Sequence, residues 1–479
     1  MPNCAITDTA PYVPGAARPW NRTRAVHLHR RTTFGAPVAT INAALDLAPA
    51  AVVENIIAAA EALPLGPVPD FADQTQDQYG LALLESTLQK DAYARQWIIA
   101  LQQNGLRGRM ALFWHNHFVT KFDVYESASY TYQYHRLLQQ YALGNFKEFV
   151  RAIGLTPAML VFLNGNQNVA AQPNENYARE LYELFTLGVD NGYTQTDIEE
   201  TARALTGYTA TPVAWGPIGF DPATHDGGAK TIFGQTGNWD YDDVIDLLFA
   251  ERGTQVARFI AGKIYRRFVN PTSDEGMIDH LADVFQQADW SIAALLRALF
   301  KSAHFFDETN WATVIEGPLE DTLINFNEWG LTVDGLSVLG IYSGTAEMGQ
   351  ALFNPVDVAG WPGNRSWINT TSIARRWADY ESRLGLALFF GFGALGELAR
   401  AITDETSDVE LICTDLIRYF LPNGLQFAED VEAALVTFKG EIPPAYFTNG
   451  NWDINYWALP IQFHALLRFL SQLPEYQLK

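Results

Sequence analysis

Pro173-Asn174-Glu175-Asn176-Tyr177-Ala178-Arg179-Glu180-Leu181-Tyr182-Glu183-Leu184-Phe185-Thr186-Leu187-Gly188 is the stretch that decides the fold class of this chain. It reads as a helix with a polar start and a clean stop. Asn174 follows Pro173 and is placed to cap, Glu175 suits the positive end of the helix dipole, and Gly188 supplies the stop. Leu181, Leu184, Phe185 and Leu187 form an apolar stripe that asks for a partner surface. Asn176, Glu180 and Glu183 recur at three- and four-residue spacing, so a regular helix puts two carboxylates and an amide on one face. Arg179 stands four residues from both Glu175 and Glu183, so the same pattern also describes ion pairs on a helix surface.

Working outward, helical signals dominate. Helices are predicted over 41–62, 83–103, 107–117, 127–141 and 145–153, with Gly66-Pro67-Val68-Pro69 as a break. Thr194 with Asp197 forms a capping box that opens a helix to about Thr206. Helices are predicted again over 241–268, 274–305 and through the tail from Leu384. Two stretches interrupt this pattern with Gly, Pro and aromatic residues. One lies between Gly207 and Asp240 and has room for a short hairpin; the other runs from Phe353 to Arg365. The expected class is mainly α, with two long ordered loops. Residues 1–24 read as an extended arm, 25–310 as a motif-bearing helical core, and 311–479 as a C-terminal helical part packed on that core in one continuous domain.

The 479 residues, 48% hydrophobic and 13% aromatic, are ample for a sizeable buried core. Lys and Arg number 32 against 54 Asp and Glu, a formal charge of −22. Such a surface repels phosphate backbones and anionic lipid, so nucleic acid is not an expected partner. It leaves room for a locally basic pocket inside an acidic shell. Cys4 and Cys413 are the two cysteines, which excludes a disulfide framework or a thiolate metal cluster. No apolar run reaches membrane-spanning length, and the first residues lack a basic n-region and an apolar core, so the expected location is cytoplasmic.

Nine histidines are few enough for their clustering to matter. His115 and His117 flank Asn116 beside Trp114, and His225 precedes Asp226 in the first loop. With Glu180, these imidazoles offer a mixed His/carboxylate centre for Zn, Fe or Mn. On a continuous helix His115 and His117 would point about 200° apart, so both can reach one ion only if the helix ends there. In that scheme Asp226 and Glu183 act as proton-handling carboxylates, and Arg179 holds a substrate anion. His27, Arg30, Arg31, Asn176, Lys230 and Trp361 are candidate substrate contacts. The alternative reading of each is structural. The histidines serve as core groups bonded to backbone, Arg30 and Arg31 pair with the abundant acids, Asp226 and Lys230 rigidify their loop, and the tryptophans lock loops onto helices.

These motifs, taken in order, resemble a large bacterial family catalogued as domain of unknown function 1800. The landmarks are His27-Leu28-His29-Arg30-Arg31-Thr32-Thr33-Phe34-Gly35, Phe113-Trp114-His115-Asn116-His117-Phe118 and Ala142-Leu143-Gly144-Asn145-Phe146. Pro157-Ala158-Met159-Leu160, the Pro173–Gly188 segment, Tyr193-Thr194 with Asp197, and Ala202-Arg203-Ala204-Leu205-Thr206-Gly207 follow. His225-Asp226 with Lys230, and Gly360-Trp361-Pro362-Gly363 with Trp367-Ile368-Asn369, complete the series. The match spans roughly Ala25 to Arg376. The resemblance implies a mainly helical bacterial protein and no established activity. It further implies that relatives often carry export signals, which makes a periplasmic or exported location the alternative, and that they are often encoded beside sulfatase-like proteins. His29 stands where many relatives carry another residue, so His27 is the stronger candidate of the two.

Three functions fit these residues. The first is a metal-dependent enzyme, hydrolytic or oxidative, with an ion held by His115, His117, Glu180 and His225. The second is a non-catalytic protein whose aromatic loops dock a glycan, a small molecule or a partner chain. The third, an acid–base enzyme using Glu180 and Glu183, is disfavoured because carboxylates one turn apart on one helix seldom flank a substrate from opposite sides.

Overall fold

Several helices in this chain begin where the sequence supplies a cap. The computed structural model describes residues 4–479. Among them are 22 α-helices and one two-stranded hairpin, so the mainly α class expected from sequence holds. Asn21 accepts from the Arg24 N–H and starts helix Arg22–Thr32. Thr194 and Asp197 form the predicted capping box on Gln195–Ala204.

Several predicted helices are divided differently. The segment 41–62 is two helices, Val38–Leu45 and Pro49–Ala62, because Pro49 cannot continue a helix yet fits the first turn of a new one. The segments 83–103 and 107–117 join into Ala82–His115, bent at Gly105, whose φ of +50° only glycine adopts without strain. The segment 241–268 splits at Arg252 into Tyr241–Glu251 and Gly253–Phe268. The segment 274–305 becomes Glu275–Gln287 and Ile292–Phe300, the second capped by Ser291.

The N-terminal arm is fixed from Ala10 onward. Tyr12 N–H donates to Lys301 O (2.8 Å), and Ala303 N–H donates to Ala10 O (2.7 Å). Residues 1–3, which carry part of the predicted arm, lie outside the described residues. Among the described residues no single helix is long and apolar enough to cross a membrane.

Helix Arg22–Thr32 runs through the interior rather than over the surface. Arg24, His27, His29, Arg30 and Arg31 are all buried on it, so each needs a partner inside the protein. His27 Nε2 donates to Phe305 O (3.0 Å). Arg30 forks onto Glu328, with Nη2–Oε2 at 2.9 Å, and donates to Phe420 O (2.9 Å). Arg31 donates to Thr313 Oγ1 (2.8 Å) and Asn310 O (3.1 Å). The sequence left open whether this basic pair binds an anion or braces the interior. Arg30 is spent on the carboxylate at the end of helix Pro318–Glu328, and Arg31 gives its Nη2 to backbone and hydroxyl oxygens, while its Nε and Nη1 are buried without a hydrogen-bond partner.

A second ion ladder lies deeper. Glu316 is fully buried between Arg109 and Arg267; its Oε2 sits 2.6 Å from Arg267 Nη1, and Arg267 also reaches Glu320 (3.0 Å). Burial by itself would raise the Glu316 carboxyl, but the Arg109 and Arg267 guanidiniums hold it down at about 2. Removing one member of such a pair leaves an unbalanced interior charge, at a cost of roughly 3–5 kcal/mol. The ladder ties helix Ala82–His115 and helix Gly253–Phe268 to residues 316–320.

Candidate functional site

Helix Ala82–His115 ends at Asn116, as the sequence required for both histidines to serve one place. They serve two. His115 is fully buried. Its Nε2 accepts from the Phe353 N–H (3.1 Å), so Nδ1 carries the hydrogen and donates to Tyr134 Oη (3.0 Å), which itself donates to Phe118 O (2.7 Å). Burial pushes its pKa down to about 3, so the ring is neutral and acts as a fastener for the second loop. Asn116 continues the same job. Its Oδ1 accepts from Trp361 N–H (2.6 Å) and its Nδ2 donates to Trp361 O (3.1 Å).

His117 turns the other way. Its Nε2 lies 3.0 Å from Phe185 O, and a carbonyl only accepts, so Nε2 holds the hydrogen and Nδ1 presents a lone pair. Lys263, from helix Gly253–Phe268, donates to that Nδ1 at 2.9 Å and also reaches Leu184 O at 3.4 Å. Burial and the neighbouring Arg266 push the Lys263 amine down to about 8. Burial, then the Lys263 charge, lower His117 well below the ordinary imidazole value.

The Pro173–Gly188 segment supplies those two carbonyls. Its Asn174 cap is present, accepting from Asn176 N–H (3.0 Å), and Gly188 terminates it with a φ of +95°. Between them the α-helix covers only Asn176–Glu180, and Leu181–Thr186 is a π-helical turn. A helix end leaves its last carbonyls unbonded, and here Leu184 and Phe185 give theirs to Lys263 and His117. The negative end of the helix dipole favours the ammonium at that spot.

The expected acidic face is tied up in ion pairs. Glu183 pairs with Arg179 (3.2 Å), and Arg179 with Glu175 (2.8 Å), the helix-surface ion pairs that the spacing also allowed. Glu180 is half-buried, and burial, then Glu183, raise its carboxyl. The first loop closes on itself. His225 Nδ1 donates to Thr206 O (2.9 Å), Asp226 pairs with Arg203 (2.7 Å), and Lys230 donates to the Asp226 and Gly228 carbonyls. The expected centre of His115, His117, Glu180 and His225 is therefore not assembled. Among the described residues no three His, Cys, Asp or Glu side chains are grouped to hold a metal ion. His117, moreover, has one nitrogen on a carbonyl and the other on a lysine amine, a donor set that does not fit a cation.

What the His115–Phe118 turn and the second loop do build is a cavity of about 470 Å³. Its lining includes Phe113, Asn116, His117, Trp361 and Trp367, the basic Lys263, Arg266 and Arg267, and Glu320, Gln350 and Asn364. Arg267 is held by Glu316 and Glu320, whereas Arg266 donates only to the Ser273 hydroxyl (3.2 Å). Three basic side chains against one acidic one make this a basic pocket within an acidic protein. A second cavity of about 680 Å³ adjoins it across Pro271, Ile315 and Asn364, and carries Asn270, Thr272, Ser273, Thr309 and Asn310.

Of the residues singled out from sequence, His117 and Trp361 line the cavity and His115 fastens its wall. Glu180, Glu183, Arg179, Asn176, His225, Asp226, Lys230, His27, Arg30 and Arg31 do not line it. Sequence reasoning passed over Lys263, Arg266, Arg267 and Asn116. The signal for the first three was there: three cations within five residues of a strongly acidic chain.

A family model described as protein of unknown function (DUF1800) matches residues 27–478, nearly the whole chain, and the protein belongs to that family. No curated protein and no solved structure matches it.

Proposed function

We propose that this protein binds a small organic anion in the cavity between the His115–Phe118 turn and the Trp361 loop, and that this cavity is its working site. The observation that carries the reading is the convergence of Lys263 and Arg266, neither paired with a carboxylate within the cavity, on a space walled by Trp361 and Trp367. A guanidinium and an ammonium recognise a carboxylate, phosphate or sulfate, and indole faces accept the flat or apolar remainder of the ligand. A cation has little reason to enter here. The His/carboxylate metal enzyme expected from sequence has no support from the donor arrangement, and no metal step is assigned.

A second reading, glycan binding, draws on the adjoining cavity. Its amides and hydroxyls suit a polyhydroxylated ligand, and Asp274 and Glu275 in the same lining favour the neutral part of a sugar there, with any acid group on the Lys263 side. The ion ladder from Arg109 and Arg267 to Glu316 supports treating residues 25–310 and 311–479 as one continuous domain.

Calorimetric titration with propionate, benzoate, glucuronate and inorganic phosphate tests the proposal. At least one of these is expected to bind, and Lys263→Met with Arg266→Ala is expected to weaken it tenfold or more. Affinity that both substitutions leave unchanged would overturn the assignment.

A further inference from the structure

We propose that Lys263 captures carbonyl compounds: its amine adds to the keto or aldehyde carbon of a small 2-oxo acid held in this cavity and forms an imine. The inference rests on the anion-binding reading and names the ligand class that reading leaves open.

The geometry around Nζ points the same way. Lys90, Lys147, Lys301, Lys439 and Lys479 each lie within ion-pair distance of a carboxylate, which keeps an amine protonated. Lys263 instead faces His117 Nδ1 at 2.9 Å and Leu184 O at 3.4 Å. Both are acceptors. A neutral amine has two hydrogens and one lone pair, so these two acceptors take both hydrogens and leave the lone pair unengaged on a side chain that lines the cavity. His117 is fixed in this role by Phe185 O and acts as a positioning residue. Arg266, one turn further along the same helix, stands ready to hold the carboxylate of a ligand whose neighbouring carbon meets Nζ. Burial beside a second cation is also a recognised way to activate a lysine, and here it brings the amine to about 8.

The step balances without any further reactant. The ammonium first gives one proton to solvent, and the amine lone pair then forms the C–N bond as the carbonyl π pair moves to oxygen. The carbinolamine loses that oxygen as water, which carries away both amine hydrogens, and C=N remains. Nothing is oxidised or reduced.

The test is reductive trapping of the full-length protein with glyoxylate and cyanoborohydride, read by peptide mass mapping. Lys263 is expected to be labelled at least tenfold faster than Lys147 and Lys301, with a rate that rises with pH through about 8. Lys263→Arg, checked for an unchanged circular dichroism spectrum, should lose that label and keep the slow surface labelling. His117→Asn should slow it without abolishing it. Labelling of Lys263 no faster than that of the surface lysines would overturn the inference. Propionate, which has no carbonyl to capture, separates capture from anion binding. If it binds and Lys263 stays unlabelled, capture fails and the anion pocket stands; if Lys263 labels quickly and propionate does not bind, capture stands and the anion pocket fails.

Discussion

The two Gly/Pro/aromatic loops read alike as sequence and are wired differently. The first, between Gly207 and Asp240, is braced mainly by its own neighbours, with remote ties from Tyr130 Oη to Gly216 O (2.6 Å) and from Gln76 N–H to Ala214 O (2.9 Å). Asp226 pairs with Arg203, Lys230 bonds two carbonyls of its own turn, and Phe233 with Gly234 makes the tight turn of a hairpin, both at positive φ. The second is fastened by remote parts of the chain. Phe353 is held by His115 and Trp361 by Asn116, each more than 200 positions earlier, and Asn364 Oδ1 accepts from Ile315 N–H. A loop braced mainly by its neighbours depends less on the rest of the fold. A loop whose main side-chain ties are distant takes its place only when those distant parts are folded, and it becomes a wall of whatever space lies between.

The sharpest way to break that comparison is beneath the second loop. Glu316→Ala strands Arg109 in the interior, leaves Arg267 with Glu320 alone, and is expected to cost roughly 3–5 kcal/mol in urea unfolding. A loss below about 1 kcal/mol would mean that the ladder does not hold this side together. Gly360→Ala comes next. Its φ is +85°, and a Cβ there would collide with the Asn116 side chain and carbonyl. Backbone strain alone costs about 1–3 kcal/mol, and ligand affinity at the cavity should fall with it. Asn116→Ala removes both bonds to Trp361 and is expected to cost about 1–3 kcal/mol. Near-ultraviolet dichroism should register the freed tryptophan.

Acid sharpens the contrast further. His115 has a folded-state value of about 3, below the ~6.5 of free imidazole, so the unfolded chain takes up this proton first. Its contribution is complete above about pH 6.5 and is lost as pH falls toward 3. His115→Asn should therefore flatten the acid limb of a stability-versus-pH curve. The smallest effect belongs to the first loop. Asp226→Asn should cost no more than about 1 kcal/mol and leave anion binding at the cavity unchanged. A clear loss of binding there would erase the distinction between the loops.

The helical class, the capping box at Thr194 and the stop at Gly188 were legible because caps and breakers act within a few residues. His117 and Trp361, singled out by their aromatic and amide company, do both line the cavity. The partner of His117 was not legible. Periodicity assumes a helix that keeps 3.6 residues per turn, so it did not foresee the π-turn at Leu181–Thr186 that brings the Leu184 and Phe185 carbonyls to Lys263 and His117. Lys263 was missed for another reason. Its meaning comes from His117 and Leu184, which approach it only through tertiary packing.

The π-turn makes this arrangement sensitive to chain length rather than to chemistry. Such a turn holds one residue more than an ordinary one, so deleting a single codon within 181–186 would let the backbone relax into a plain α-helix. Every side chain of the cavity would still be encoded. The two oxygens that orient His117 and Lys263 would be withdrawn from them, and a deletion there should cost more than most exchanges of one amino acid for another.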